Sequence, residues 1–200
     1  MSEPKTLLAM AGADPTPGRL SASSLLLIDC QMEYVDGALP LTGVEAALDE
    51  VSRLLVRARA ADTPVIHVAH AGAAGGPFDR AAPRGQFAAQ AAPIDGETVI
   101  EKSLPNCFAG TDLEAALKAT GRGELIVAGF MTHMCVSATV RRGLDLGFRT
   151  TVIASAAATR DLPCATGGDV VAAELLHKVS LAALADRFAV IAQSSADLSE

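Results

Sequence analysis

Short apolar runs alternate along the chain with longer segments in which apolar residues recur every three or four positions. The first run, residues 25–28, is continuous and ends at Asp29, as strands buried on both faces of a parallel sheet do. From Val44 to residue 58 the apolar positions have helical spacing, and charged residues occupy the other face. Together these two segments predict one β-α unit.

The same alternation continues to the C-terminus. It predicts strands at 65–69, 98–101, 125–128, 150–154 and 188–191, and helices at about 112–119, 135–146 and 170–184. Residues 71–93 contain four glycines, three prolines and no period, which is typical of a functional lid or an oligomer arm and makes this segment a candidate wall of a site. We therefore predict a single-domain, three-layer α/β/α fold around a six-stranded, mainly parallel sheet. Its domain spans 23–195, between an N-terminal extension, 1–22, and a C-terminal tail, 196–200.

Composition and charge restrict the partners of this domain. Half of the 200 residues are hydrophobic, only 4% are aromatic, and the formal net charge is −7. Such a chain can bury a large core, and it has no basic run that would follow a phosphate backbone and no apolar run of membrane-helix length. Four widely spaced cysteines without a C-x-x-C pair favour a reducing compartment. We expect a cytoplasmic protein that binds neither nucleic acid nor membranes.

Polar residues follow the predicted strands at the edge where parallel α/β sheets bind ligands. Asp29, His70 and Lys102 come after three strands, and Cys135 opens the helix after the fourth. Lys102 is a candidate partner for a buried Asp29 carboxylate, in a functional site or in a structural ion pair. At a helix N-terminus the helix dipole favours a thiolate, so Cys135 is either a nucleophile or an inert buried thiol.

Three segments in this order carry a family resemblance. They are LLLIDCQMEY at 25–34, VIEK at 99–102 followed by NCFAGTDL at 106–113, and GFMTHMCV at 129–136. The chain resembles the isochorismatase-like cysteine hydrolases, a superfamily that includes nicotinamidases and N-carbamoylsarcosine amidohydrolase.

The resemblance implies a catalytic triad of Asp29, Lys102 and Cys135. It also implies a cis peptide bond between Phe130 and Met131, and an oxyanion hole formed by the backbone N–H groups of Met131 and Cys135. The implied reaction is hydrolysis of an amide, carbamoyl or related C–N bond in a small molecule through a thioester. The open alternatives are a vinyl-ether hydrolase of the isochorismatase type, a thiol redox protein and a non-catalytic oligomer.

The resemblance also indicates which residues flank the site and how the chain assembles. Segments that flank the site in relatives contain four candidate substrate contacts: Gln31, Tyr34, Phe78 and Phe108. Two more follow from position in the chain: His70, at a strand end, contacts substrate or orders the loop, and His133, two residues before Cys135, shapes the pocket or caps the helix. Relatives form dimers, tetramers or larger rings, so we expect a homo-oligomer whose contacts include the helix at 170–184. His177 on that helix is expected at the surface or an interface.

The Asp-x-His-x-His metal pattern of nicotinamidases has no counterpart after the second strand. His67 and His70 are three residues apart on a strand, so their side chains point to opposite faces. No glycine-rich phosphate loop follows the first strand either. We therefore expect no metal and no cofactor, and we expect His67 to be a core or interface residue.

Overall fold

The computed structural model describes residues 3–200, and a parallel sheet organises them. The strands in this range are β1 (Ser23–Ile28), β2 (Val65–His70), β3 (Thr98–Lys102), β4 (Glu124–Phe130), β5 (Arg149–Ala158), β6 (Leu162–Pro163), β7 (Val170–Val171) and β8 (Val190–Ala192). Six of them form one sheet in the order β3-β2-β1-β4-β5-β8, with every neighbouring pair parallel. β6 and β7 form a separate antiparallel hairpin. The predicted α/β fold is confirmed.

Helices cover both faces of this sheet. They are α1 (Leu7–Met10), α2 (Val44–Ala60), α3 (Leu113–Ala119), α4 (Ser137–Asp145) and α5 (Ala173–Arg187). Leu25 and Leu27 of β1 pack in the core under α2, whereas Leu26 and Ile28 pack in the core under α3, α4 and α5. Because successive side chains of a strand face opposite sides, a central strand covered on both faces needs an unbroken apolar run.

The segment before α5 differs from the sequence prediction. Val170 and Val171 pair with β6 instead of opening the helix, which agrees with the strand preference of β-branched residues. α5 begins at Ala173, whose N–H donates to Asp161 Oδ1 at 2.8 Å. The helix then continues to Arg187, so the last strand begins at Val190 and not at residue 188.

Residues near both ends of the chain take part in the core. Leu20 and Leu198 are buried under α2, and the Leu20 N–H donates to the Ser199 carbonyl oxygen at 2.9 Å. The segments predicted as extension and tail therefore contribute side chains to the packing. None of the helices within residues 3–200 is long and apolar enough to cross a membrane.

The strand order places one edge of the sheet in position to form a site. β1 and β4 are neighbours in the sheet. The chain continues from β1 to β2 on one side and from β4 to β5 on the other side, which makes the carboxyl ends of β1 and β4 a topological switch point. Gly129 of β4 pairs with Ile28 at φ +115°, and a Cβ there would lie 2.0 Å from the Ile28 carbonyl oxygen. Only glycine permits this approach, which brings Asp29 beside the turn that follows β4.

Candidate active site

Lys102 connects the other two members of the expected triad. Its Nζ donates to Asp29 Oδ2 at 2.7 Å and to Cys135 Sγ at 3.4 Å. The side chains of Lys102 and Asp29 are both 0% exposed. The structure thus brings together three residues that are 33 to 106 positions apart in the chain, at the carboxyl ends of β3, β1 and β4.

Asp29 occupies the first position after β1 in a left-handed conformation, with φ at +53°. Its N–H donates to the Val68 carbonyl oxygen at 2.8 Å, which anchors this backbone to β2. Burial raises the pKa of the Asp29 carboxyl, although the neighbouring Lys102 ammonium acts in the opposite direction. Oδ1 is buried and has no hydrogen-bond partner within residues 3–200. Asp29 is therefore a stronger base than an exposed aspartate, with one oxygen available.

Cys135 lies in a π-helical turn, Thr132–Val136, that joins β4 to α4. Cys135 is 4% exposed. The peptide bond between Phe130 and Met131, just before the turn, is cis. Burial and the Asp29 carboxylate raise the pKa of the Cys135 thiol to about 12, against the opposing effect of Lys102. This raised pKa acts against the thiolate that a helix N-terminus favours. The thiol is protonated and needs a base.

His70 is in contact with the same ammonium group. Burial lowers the pKa of Lys102, but Asp29 and the nearby sulfur atoms outweigh it, so the pKa of Lys102 lies above its ordinary value. Lys102 Nζ therefore donates to His70 Nδ1, at 3.2 Å. Because an ammonium group has no lone pair, Nδ1 accepts and the ring proton is on Nε2. Burial and the Lys102 charge lower the pKa of His70, so its ring is neutral.

Gln31 is buried, and its carboxamide is bonded to the backbone. Nε2 donates to the carbonyl oxygens of His70, at 3.0 Å, and Gly85, at 2.7 Å, while Oε1 accepts from the His70 N–H at 2.8 Å. Both amide protons are thus used within the protein. Gln31 therefore holds the end of β2 and the following loop, and its role as a substrate contact stays a prediction.

Tyr34 and Phe78 form an aromatic wall next to His70. The Phe78 ring is 5.1 Å from Tyr34 and 5.0 Å from His70, and Tyr34 is 5.7 Å from Phe130, all with edge-to-face geometry. Such contacts stabilise a fixed arrangement of rings. Phe108 differs, because its ring stacks on Phe148 at 6.3 Å and packs, partly buried, against the cluster that contains Cys135. Its role as a substrate contact stays a prediction.

The irregular segment 71–93 is attached to the residues after β1. Within it, the Ala88 N–H donates to the Cys30 carbonyl oxygen at 2.9 Å, and Arg80 lies over the Phe87 ring at 5.1 Å. Arg80 also forms an ion pair with Glu101 at 2.9 Å. These contacts attach the segment to Cys30, after β1, and to Glu101 of β3.

His67 faces away from this site. Its Nε2 is 2.8 Å from Glu97 Oε2, in a fully buried position. Burial raises the pKa of Glu97, but hydrogen bonds from Arg59 and from the Ile94 N–H outweigh it and lower this pKa to about 2. In the described part of the chain, no three His, Cys, Asp or Glu side chains are grouped to hold a metal ion. The absence of a catalytic metal stays a prediction.

Sequence reasoning missed two contacts that hold the turn around Cys135. Thr132 Oγ1 donates to the Ala158 carbonyl oxygen at 3.1 Å and accepts from His177 Nδ1 at 2.8 Å. His133 Nδ1 is 2.6 Å from Thr159 Oγ1. His177 was expected at the surface or an interface, but it is half-buried and supports the turn from a position 45 residues along the chain. No local pattern signals a contact at that separation.

Comparison with known proteins identifies the family of this chain. The family model described as Isochorismatase domain matches residues 23–196. A crystal structure of an isochorismatase from Pseudomonas putida superimposes with a TM-score of 0.93 at 44% identity, and the match covers 98% of this chain and 100% of that one. The chain belongs to the isochorismatase family of hydrolases.

Two curated relatives show the range of the family. The secreted isochorismatase effector Isc1 of Verticillium dahliae is 36% identical over 187 residues, which is 93% of this chain and 95% of the relative. Maleamate amidohydrolase of Pseudomonas putida is 32% identical over 148 residues, which is 65% of this chain and 69% of the relative.

Proposed function

We propose that this protein hydrolyses an amide, carbamoyl or related C–N bond in a small, non-peptide molecule through a thioester on Cys135. The observation that carries the proposal is the position of Lys102 Nζ, which touches both Asp29 and Cys135 in a buried site. A thiol beside a carboxylate of raised pKa is the combination that nucleophilic acyl transfer requires. The similarity to a maleamate amidohydrolase supports the same reaction class.

The reaction begins with transfer of the Cys135 proton to Asp29. The thiolate attacks the acyl carbon, and the backbone N–H groups of Met131 and Cys135 stabilise the oxyanion. The C–N bond breaks as Asp29 returns the proton to the leaving nitrogen. Water then attacks the thioester while Asp29 accepts its proton, and that proton regenerates the Cys135 thiol as the acid product leaves. The balance is one amide plus one water to one acid plus one amine.

Lys102 keeps its charge through this sequence. Its contact with Asp29 Oδ2 leaves Oδ1 as the oxygen that exchanges protons with sulfur, nitrogen and water. Its contact with Cys135 lowers the free energy of the thiolate at the moment it forms. Lys102 therefore acts on both partners without itself donating a proton.

The test is a substrate screen combined with detection of the intermediate. Purified protein is incubated with amides, ureas and carbamoyl compounds, ammonia release is measured, and acid-quenched samples are examined by intact-protein mass spectrometry. Wild-type protein should turn over a member of the set and carry an acyl group on Cys135. Cys135→Ala should lose both signals, and Cys164→Ala, which removes a distant thiol, should keep them. Full activity in Cys135→Ala would contradict the mechanism.

Vinyl-ether hydrolysis is the second candidate. It is favoured by the similarity to a protein named as an isochorismatase effector over 93% of this chain. That reaction needs a proton donor but no sulfur nucleophile, so Asp29 would be required and Cys135 dispensable. Isochorismate hydrolysis that persists in Cys135→Ala and disappears in Asp29→Asn would establish it in place of amide hydrolysis.

We also propose that the protein is a homo-oligomer with α5 at the subunit contact. Leu175 and Val179, one turn apart on α5, are each 55% exposed. Exposed apolar pairs of this kind favour association. Light scattering should give a mass above 20.4 kDa for wild-type protein and a monomer for a Leu175→Glu, Val179→Glu variant.

A cytoplasmic location is the remaining part of the proposal. It rests on the four cysteines, all of which are free, as expected in a reducing compartment. Fractionation of the native cells should find the protein with cytoplasmic markers, and recovery from the culture medium would contradict this location.

A further inference from the structure

A cavity of about 380 Å³ opens between the first turns of α2 and α5, beside the carboxyl half of β5. Its lining residues do not include Asp29, Lys102 or Cys135, so it is separate from the candidate active site. Small side chains keep it open, and its apolar wall contains six alanines: Ala46, Ala47, Ala154, Ala157, Ala158 and Ala173. Its volume is within the range of small-molecule sites, about 300–1,000 Å³.

His177 connects this cavity to the turn that contains Cys135. It is a lining residue, and its Nδ1 is 2.8 Å from Thr132 Oγ1. The one hydroxyl proton of Thr132 is donated to the Ala158 carbonyl oxygen at 3.1 Å, so Oγ1 accepts from the His177 Nδ1–H. Burial lowers the pKa of His177, so the ring is neutral. Its other nitrogen, Nε2, therefore carries a lone pair and is a hydrogen-bond acceptor.

The polar side of the cavity carries a negative charge and no permanent positive one. Among the lining residues within 3–200, Glu174 in the first turn of α5 is the one carboxylate, and none is a lysine or an arginine. None of the ion pairs in the described part of the chain includes Glu174. Ser155 also lines the cavity, and its Oγ is buried without a hydrogen-bond partner among residues 3–200. A buried hydroxyl in this condition indicates a ligand group that completes its hydrogen bonding.

We propose that this cavity binds a small primary aliphatic amine, in its ammonium form, through Glu174, His177 and Ser155. An ammonium group has three N–H donors and no acceptor, which matches a carboxylate, an imidazole lone pair and a hydroxyl oxygen. The alanine wall is suited to the aliphatic part of the molecule, and the Glu174 charge disfavours anions. Leu175 and Val179, the proposed subunit contact, lie about 100° or more around α5 from Glu174 and His177, so both features fit on one helix.

The bound amine also acts on Cys135. His177 is hydrogen-bonded to Thr132, which belongs with Cys135 to the π-helical turn Thr132–Val136. A positive charge held at His177 favours the thiolate form of Cys135, because opposite charges attract strongly in the protein interior. The ammonium group is therefore an activator of the thiol. This inference goes beyond the proposed function, because it concerns a second site.

The first experiment determines the His177 tautomer and the ligand preference by NMR. Long-range proton–nitrogen spectra of the histidine rings, with His177 assigned from His177→Gln, should show the Nδ1–H tautomer in the free protein. The protein is then titrated at constant ionic strength with n-butylammonium chloride, with neutral n-butanol and with tetramethylammonium chloride, which has no N–H. Only n-butylammonium should shift His177 Nε2, with a Kd at least 10-fold below those of the other two. The Nε2–H tautomer, or equal binding of the three probes, would overturn the inference.

Two variants of exposed residues test the site, and a third is the matched control. Glu174→Gln removes the charge, and Ala46→Leu fills part of the cavity, so each should weaken n-butylammonium binding at least 10-fold. Glu45→Gln removes the same charge from the first turn of α2, where Glu45 is exposed and does not line the cavity. This variant should bind as wild type does. Equal weakening in Glu45→Gln and Glu174→Gln would show general charge attraction and overturn the site.

The second experiment measures the reactivity of Cys135. Its iodoacetamide labelling rate is compared with and without saturating n-butylammonium chloride, with potassium chloride matching the ionic strength. The rate should rise at least 2-fold in wild-type protein and stay constant in Glu174→Gln, and an unchanged or lowered wild-type rate would overturn the action on Cys135. Neither experiment needs turnover. Amine binding without hydrolysis of any amide would contradict the proposed function and support the second site, and amide hydrolysis without amine binding would do the reverse.

Discussion

The buried ion pair between Lys102 and Asp29 makes the protein sensitive to the loss of either partner. The two groups are 2.7 Å apart with both side chains 0% exposed. At an effective dielectric constant of about 20, unit charges at this separation attract each other by about 6 kcal/mol. Lys102→Met removes the cation, keeps most of the volume, and leaves the Asp29 carboxylate buried with no counter-charge. Breaking a buried pair in this way costs about 3–5 kcal/mol, a large part of the stability of a typical domain.

The measurement is urea unfolding of the two single variants and of the double variant. Lys102→Met should lower the free energy of unfolding by about 3–5 kcal/mol, and Asp29→Asn should also destabilise the protein because it leaves the ammonium group unpaired. The double variant should lose less than the two single losses combined, since neither charge then remains buried.

Lys118→Met is the control for this cycle. Lys118 pairs with Glu114 at 2.6 Å, a similar separation, but the side chains are 64% and 39% exposed. Water screens this pair, so its loss should cost less than about 1 kcal/mol. If Lys102→Met were no more destabilising than Lys118→Met, or if the losses at Lys102 and Asp29 were additive, the ion-pair reasoning would be refuted.

Three further results are expected from the same structure. Iodoacetamide labelling of Cys135, whose pKa is raised to about 12, should still increase tenfold per pH unit at pH 9. Labelling of Cys164, whose pKa is lowered by its bond to Thr166, should level off at a lower pH than labelling of Cys135, and a plateau for Cys135 below pH 9 would contradict the raised pKa. Glu97 has a folded-state pKa of about 2, so its contribution to stability is complete above about pH 4.5 and is lost as the pH falls toward 2. In Glu97→Gln, the melting temperature should therefore fall less steeply with decreasing pH than in the wild type. An unchanged pH dependence would exclude the contribution. Gln31→Leu should cost at least about 2 kcal/mol in urea unfolding because three buried or partly buried backbone groups lose their partner, and a near-neutral result would show that they are satisfied otherwise.

Much of the fold and the core of the site could be predicted before any coordinates. The continuous run at 25–28 indicates a strand covered on both faces, and helical spacing from Val44 indicates the helix that covers one of them. Polar residues directly after such strands lie at one edge of a parallel sheet, which is why Asp29, Lys102 and Cys135 were identifiable as neighbours. These signals are local, and the different periods of strands and helices allow them to be recognised in the sequence.

The protonation of Cys135 and the roles of its neighbours depended on tertiary structure. Position at a helix start suggested a thiolate, but the packing of β1 and β4 around the sulfur removes water and places Asp29 beside it, which raises the pKa. The role of Gln31 also depended on tertiary structure, because its three hydrogen bonds go to His70 and Gly85, up to 54 positions away in the chain.

The sequence by itself determined the α/β class, through its periodicity, and the family resemblance, through contiguous motifs, and this resemblance implied the expected triad. Only the tertiary structure decided which polar atoms find partners. No sequence pattern shows that Arg160 Nε and His133 Nε2 lack hydrogen-bond partners among residues 3–200, which becomes evident only when β5 and the turn before α4 are packed together. Hydrogen-bond satisfaction is a property of the assembled interior, where every partner must come from another segment or from a ligand.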